Sequence, residues 1–156
     1  MQPVVRSQKE HTMDRVELAV SLFKQGFSCS QAVLAAYGEC FGLDRDLALR
    51  VAAGFGGGMG RMAQTCGAVT GAFMLIGMRY GNVDARARQE KERTYELVRE
   101  FADRFHNRHG SLICRELLGY DMSTPDGFQA AGKRKSSTPV CEQLVRDAAT
   151  LIEQMV

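Results

Sequence analysis

The sequence predicts an all-α bundle of roughly six to seven helices in a single domain (1–156), with a glycine-rich loop ahead of a buried central helix. Three observations carry this. Apolar residues recur at three- and four-residue spacing along nearly the whole chain. No segment alternates convincingly at period two, and no long-period repeat is visible. Glycines on one side and Ser, Thr, Asp or Pro on the other punctuate the apolar runs where helices stop and start.

A first helix runs from about His11 to Gln25, marked by Val16, Leu18, Ala19, Leu22 and Phe23, and Gly26 closes it. Ser28 caps a second, carrying Ala32, Val33, Ala36 and Tyr37, which runs out near Cys40-Phe41-Gly42. Asp44 caps a third, through Leu47, Leu49, Val51 and Ala52. Gly54-Phe55-Gly56-Gly57-Gly58-Met59-Gly60 is then a loop or a distorted helix start, because so many glycines oppose regular structure. A buried fourth helix follows to about Tyr80, ended by Gly81-Asn82.

Asp84 opens a long helix to about Asn107, with mixed charges and a stripe of Tyr95, Val98, Phe101 and Phe105; His109-Gly110 ends it. Ser111 starts a short helix through Leu118, and Gly119 to Ser137 reads as an extended connection. Thr138-Pro139 launches the last helix, with Leu144, Val145, Ala148, Leu151 and Ile152 on one face.

The 156 residues are 45% hydrophobic and 24% charged, which is a globular composition with enough apolar surface for a real core. A net charge of +2 gives no argument for nucleic acid or an anionic membrane, and Lys133-Arg134-Lys135 is a short basic run read as a solvated loop. Met62 to Met78 is too short and too polar for a membrane span. Gly67-x-x-x-Gly71 instead lets two helices approach closely. The N-terminal residues lack an apolar stretch of signal-peptide length, so a cytoplasmic location is expected. The long mixed-charge helix leaves a homodimer open.

Gly58-x-Gly60-x-x-Ala63 is a degenerate dinucleotide fingerprint without the preceding strand that such a site needs, so no nucleotide is expected. No Cys-x-x-Cys exists, which argues against c-type haem and a thioredoxin-like site. His106 and His109 could face one metal from a helix end, but histidines there also suit the helix dipole, and that reading is preferred. Met74 and Met78 are core filling.

Cysteine placement is the feature that bears on chemistry. Cys29, Cys66, Cys114 and Cys141 lie beside residues that start helices. A thiol in a first helical turn feels the positive end of the helix dipole, which favours the thiolate, the form that attacks and that ligates metals. Cys40 lacks that context and reads as structural. Five cysteines without a secretory signal point to reduced thiols, a metal or a redox site rather than a disulfide framework. Spacing alone leaves two readings of the four open: one shared site, or scattered core thiols.

Several blocks resemble the C_GCAxxG_C_C family of redox-active proteins, named for its cysteine pattern. They are Cys29-Ser30-Gln31-Ala32-Val33, Gly54 through Arg61, Cys66-Gly67-Ala68-Val69-Thr70-Gly71-Ala72, Cys114-Arg115-Glu116-Leu117-Leu118-Gly119, Asp121-Met122-Ser123-Thr124-Pro125, and Cys141. The similarity covers residues from about 12 to 154. Where the family pattern reads Gly-Cys-Ala, this chain reads Cys66-Gly67-Ala68.

The resemblance implies a redox or metal-binding role for Cys29, Cys66, Cys114 and Cys141, and a related block is similar to the iron–sulfur portion of split-Soret cytochromes. Four thiolates match the ligand count of an iron–sulfur cluster serving an electron-transfer partner not yet known. Two alternatives stand beside it. One is a thiol–disulfide enzyme with Cys29 or Cys66 as the activated nucleophile. The other is a non-catalytic, partner-binding bundle, either stapled by zinc on the four cysteines or purely hydrophobic.

Overall fold

A computed structural model describes residues 14–133 and 137–156, and among them the chain forms eight helices and no strands. The helices are α1 (Arg15–Lys24), α2 (Cys29–Gly38), α3 (Arg45–Ala52), α4 (Gly67–Tyr80), α5 (Arg88–His109), α6 (Cys114–Leu118), α7 (Pro125–Lys133) and α8 (Ser137–Met155). The anticipated helix start at His11 lies outside the described residues, as do Arg134 and Lys135 of the basic run. Asp14 caps α1, accepting from the Val16 amide at 3.0 Å.

α2 is the centre of the molecule, packed against α1, α3, α4 and α8. Its start is a reciprocal capping box. The Gln31 amide donates to Ser28 Oγ at 3.3 Å, and the Ser28 amide donates to Gln31 Oε1 at 3.0 Å. The same turn holds the end of α3: Ser30 Oγ donates to the Ala52 carbonyl at 2.9 Å, and Gln31 Nε2 to the Leu49 carbonyl at 3.0 Å. These bonds occupy carbonyls that a helix C-terminus otherwise leaves open. They also fix where Cys29 begins α2.

α4 lies across α2 at close range because Gly67 and Gly71 face it. A Cβ at Gly71 would come within 3.0 Å of the Ser30 carbonyl oxygen and 3.1 Å of Val33 Cβ. The small-residue spacing therefore serves helix packing in this bundle. Tyr37, fully buried on α2, donates its hydroxyl to the Ala149 carbonyl of α8 at 3.2 Å. Phe101 and Phe105 of α5 close the other side, with Phe73 set edge-on to Phe101 at 6.0 Å.

Four expectations need correction. The stretch read as an extended connection contains α7. Thr124 Oγ1 accepts from the Gly127 amide at 3.0 Å and Pro125 takes the first helical position, a start signal strong enough to override Gly127. The long helix begins at Arg88 rather than Asp84, because the Asp84 carboxylate caps a tight turn through the Arg86 amide at 2.9 Å. The short helix begins at Cys114 rather than Ser111, whose hydroxyl instead accepts from the Ile113 amide. Met78, read with Met74 as core filling, is exposed, while Met74 packs partly buried against the core.

Candidate functional site

Cys29, Cys66, Cys114 and Cys141 line one cavity of about 170 Å³, and Cys40 does not. Cys29 is the first residue of α2 and Cys66 the residue just before α4. Cys114 opens α6, and Cys141 lies one turn into α8. The rest of the wall is Phe23, Leu117, Leu118, Met122 and Leu144, with Ser28 and the glycines 57, 58 and 67. Among the described residues, no charged side chain lines it.

A single antiparallel bridge brings the second and third cysteines together. Thr65 pairs with Ile113, so the Cys66 amide donates to the Leu112 carbonyl at 2.8 Å and the Cys114 amide to the Gln64 carbonyl at 2.6 Å. Each cysteine is thus the residue immediately after the pair, where its chain turns into a helix.

The glycine loop wraps this bridge as a left-handed turn. Gly57, Gly58, Met59, Gly60 and Arg61 have φ of 67°, 70°, 68°, 59° and 63° in succession, and Ala63 adds 57°. Amides of Arg61, Ala63 and Gln64 reach back to the carbonyls of Gly56, Gly57 and Gly58 at 3.2, 3.2 and 2.9 Å. Each non-glycine residue in this region costs about 1 kcal/mol, so Met59, Arg61 and Ala63 are held there by their surroundings. Steric room explains the glycines at the wall. A Cβ on Gly58 would lie 2.7 Å from Cys114 Cβ, and one on Gly67 would lie 3.3 Å from Cys29 Cβ. The loop follows a helix, α3, and its glycines let backbone pass against the cysteines.

Burial, not the helix dipole, governs Cys66 and Cys114. Cys66 is pushed up to about 12 by burial, although the Ala68 and Val69 amides at the start of α4 pull the other way. Burial likewise raises Cys114 to about 11, with the neighbouring Cys141 and Asp121 charges adding to it. Cys29 and Cys141 are hydrogen-bonded to each other, which raises Cys29 and lowers Cys141. The expected thiolate-favouring effect of a helix start is therefore overruled at three of the four positions. Cys29 and Cys66, the candidates for an activated nucleophile, are both shifted toward the thiol.

Among the described residues, all cysteines are free, and no group of three or more His, Cys, Asp or Glu side chains is placed to hold a single metal ion. His106 is exposed, and His109 packs at a tilt against Phe105 with its Nε2 3.1 Å from Asp147 Oδ2, out of line for a hydrogen bond. Neither lines the cavity. Among the described residues no helix is long and apolar enough to cross a membrane.

The family described as "Putative redox-active protein (C_GCAxxG_C_C)" matches residues 27–155. The chain belongs to it. The C_GCAxxG_C_C match runs from just before the α2 capping box to the end of α8, so it takes in all four cavity cysteines. The chain matches no curated protein and no solved structure. Sequence reasoning did not single out Phe23, Leu144 or Ser28 as parts of the wall. Phe23 and Leu144 carried only an ordinary helical core signal, and Ser28 only a cap signal.

Proposed function

We propose that Cys29, Cys66, Cys114 and Cys141 together hold an iron–sulfur cluster and that the protein carries electrons for a redox partner. The observation behind this reading is the convergence of four thiols, from four separate elements, on one apolar cavity that glycines keep open. A side chain at Gly58 or Gly67 would push into the cysteine side chains of that wall. Four thiolates are the ligand set of [2Fe–2S] and [4Fe–4S] centres. A lone zinc ion suits the spacing less well. All its sulfurs must lie about 2.3 Å from the metal, and no three candidate side chains among the described residues stand in that relation.

Bound there, a cluster would supply one-electron transfer. The chain's own part follows from the wall. Apolar side chains keep water from the sulfurs, and the Ala68 and Val69 amides offset negative charge at Cys66. Because Cys66 and Cys114 hold their protons so firmly, loading must release protons, and metal uptake should be steeper at higher pH. A reducing, cytoplasmic setting fits five free thiols.

The test is iron and acid-labile sulfide in anaerobically purified and reconstituted protein. Stoichiometric iron and sulfide, lost in serine variants of each of the four cysteines and kept in Cys40→Ser, is expected. Protein that takes up neither after reconstitution defeats the reading, and stoichiometric zinc without sulfide selects the zinc-stapled module.

A further inference from the structure

The four cavity cysteines are not equivalent. Cys66 and Cys114 are buried, at 4% and 8% exposure, whereas Cys29 and Cys141 are half-buried. These two less buried residues, at the start of α2 and in the second turn of α8, are also neighbours in the cavity wall, close enough for each thiol to shift the other's proton affinity. Cys66 and Cys114 are instead tied to the Thr65–Ile113 bridge, their backbone amides committed to it. α2 and α8 pack directly against each other, so a bond between these sulfurs would join two elements already in contact.

We propose that Cys29 and Cys141 form a reversible disulfide in the metal-free protein, a two-electron couple that closes the cavity. The oxidant is a small or protein disulfide. The Cys141 thiolate attacks one of its sulfurs, forming a mixed disulfide and expelling the first leaving thiolate. Cys29 then attacks the Cys141 sulfur, expelling the second. The two protons from Cys29 and Cys141 end on the leaving groups, so two protein thiols are oxidised to one disulfide while the oxidant is reduced to two thiols. Each sulfur so joined is lost as a metal ligand, so the oxidised form cannot load metal on four cysteines. Only that last consequence rests on the cluster reading.

The experiment treats reduced, metal-free protein with oxidised glutathione anaerobically, blocks remaining thiols with N-ethylmaleimide, and maps tryptic peptides by mass spectrometry. Cys29 and Cys40 share the peptide between Lys24 and Arg45, so the mapping uses Cys40→Ser. The expected result is loss of two titratable thiols and a cross-linked pair of the Cys29 and Cys141 peptides, both reversed by dithiothreitol. Cys66→Ser retains the cross-link, and Cys141→Ser abolishes it.

The proposal is overturned if all thiols stay titratable, if the cross-link joins Cys66 to Cys114, or if glutathione adducts persist without a cross-link. Should Cys141→Ser fail to fold, the peptide map of the Cys40→Ser protein decides alone. Iron and sulfide uptake by the reduced protein is scored separately. A mapped cross-link with no uptake leaves this couple standing and removes the cluster reading. Uptake without a cross-link does the reverse.

Discussion

Gly58→Ala tests whether the glycine loop exists to let backbone pass against the cysteine site. Gly58 has φ of 70°, and an added Cβ would sit 2.7 Å from Cys114 Cβ, 2.7 Å from the Gln64 amide nitrogen and 2.9 Å from the Ala63 carbonyl carbon. Two of these contacts are backbone, so no side-chain rotation relieves them. The left-handed conformation costs an alanine about 1 kcal/mol, and overpacking against fixed backbone adds about 1–3 kcal/mol. Gly42 isolates the first part, because it has φ of 81° with nothing within 4 Å of an added Cβ. At about 2–4 °C per kcal/mol for a chain of this length, Gly58→Ala should lower Tm by roughly 4–16 °C and Gly42→Ala by roughly 2–4 °C. Thermal unfolding of the reduced, metal-free proteins by circular dichroism makes the comparison. Equal shifts in the two variants would refute the close-approach argument, leaving only a backbone preference.

Other outcomes follow from the packing and the thiols. Phe101→Ala, at a site with no exposure between Phe73 and Phe105, should cost about 3–5 kcal/mol in urea unfolding. Ser30→Ala should cost about 1–2 kcal/mol by removing the donor to the Ala52 carbonyl, and a neutral result would mean that carbonyl finds another partner. The double variant His106→Asn, His109→Asn should keep the parent's iron and sulfide content; a loss would bring imidazole into the site. For reduced, metal-free protein the alkaline limb of stability is set partly by Cys66. Its folded value lies above its ordinary value of 9.0, so the protonated thiol's contribution is intact below pH 9.0 and drains away as pH rises toward about 12. Cys66→Ala should flatten the fall of unfolding free energy across that window, and an unchanged slope would contradict the burial argument.

Helix limits that depend on local chemistry were readable from the chain. Ser28 and Asp44 act as caps, and Gly26 and Gly110 end helices at positive φ, because a cap needs only a side chain within a few residues of free amides. The start of α7 carried the same kind of signal in Thr124-Pro125, but the neighbouring Gly127 and the Ser-Thr-Pro-Asp-Gly composition masked it. On α3 the apolar residues read from the sequence were Leu47, Leu49, Val51 and Ala52, and the fold buries Ala48 and Ala52 while leaving Leu47 and Val51 half-exposed.

For the site, the sequence by itself determined which four cysteines stand near helix starts and that Cys40 lacks that context. Only the tertiary structure decided that the four line one cavity with the glycines against them, that the loop turns left-handed, and that Cys29 and Cys141 shift each other's proton affinity. It also reversed the expected charge preference at Cys29, Cys66 and Cys114. The physical reason is range. A cap or a helix dipole acts over one turn and is written in adjacent residues, whereas desolvation depends on what the rest of the chain packs over the sulfur.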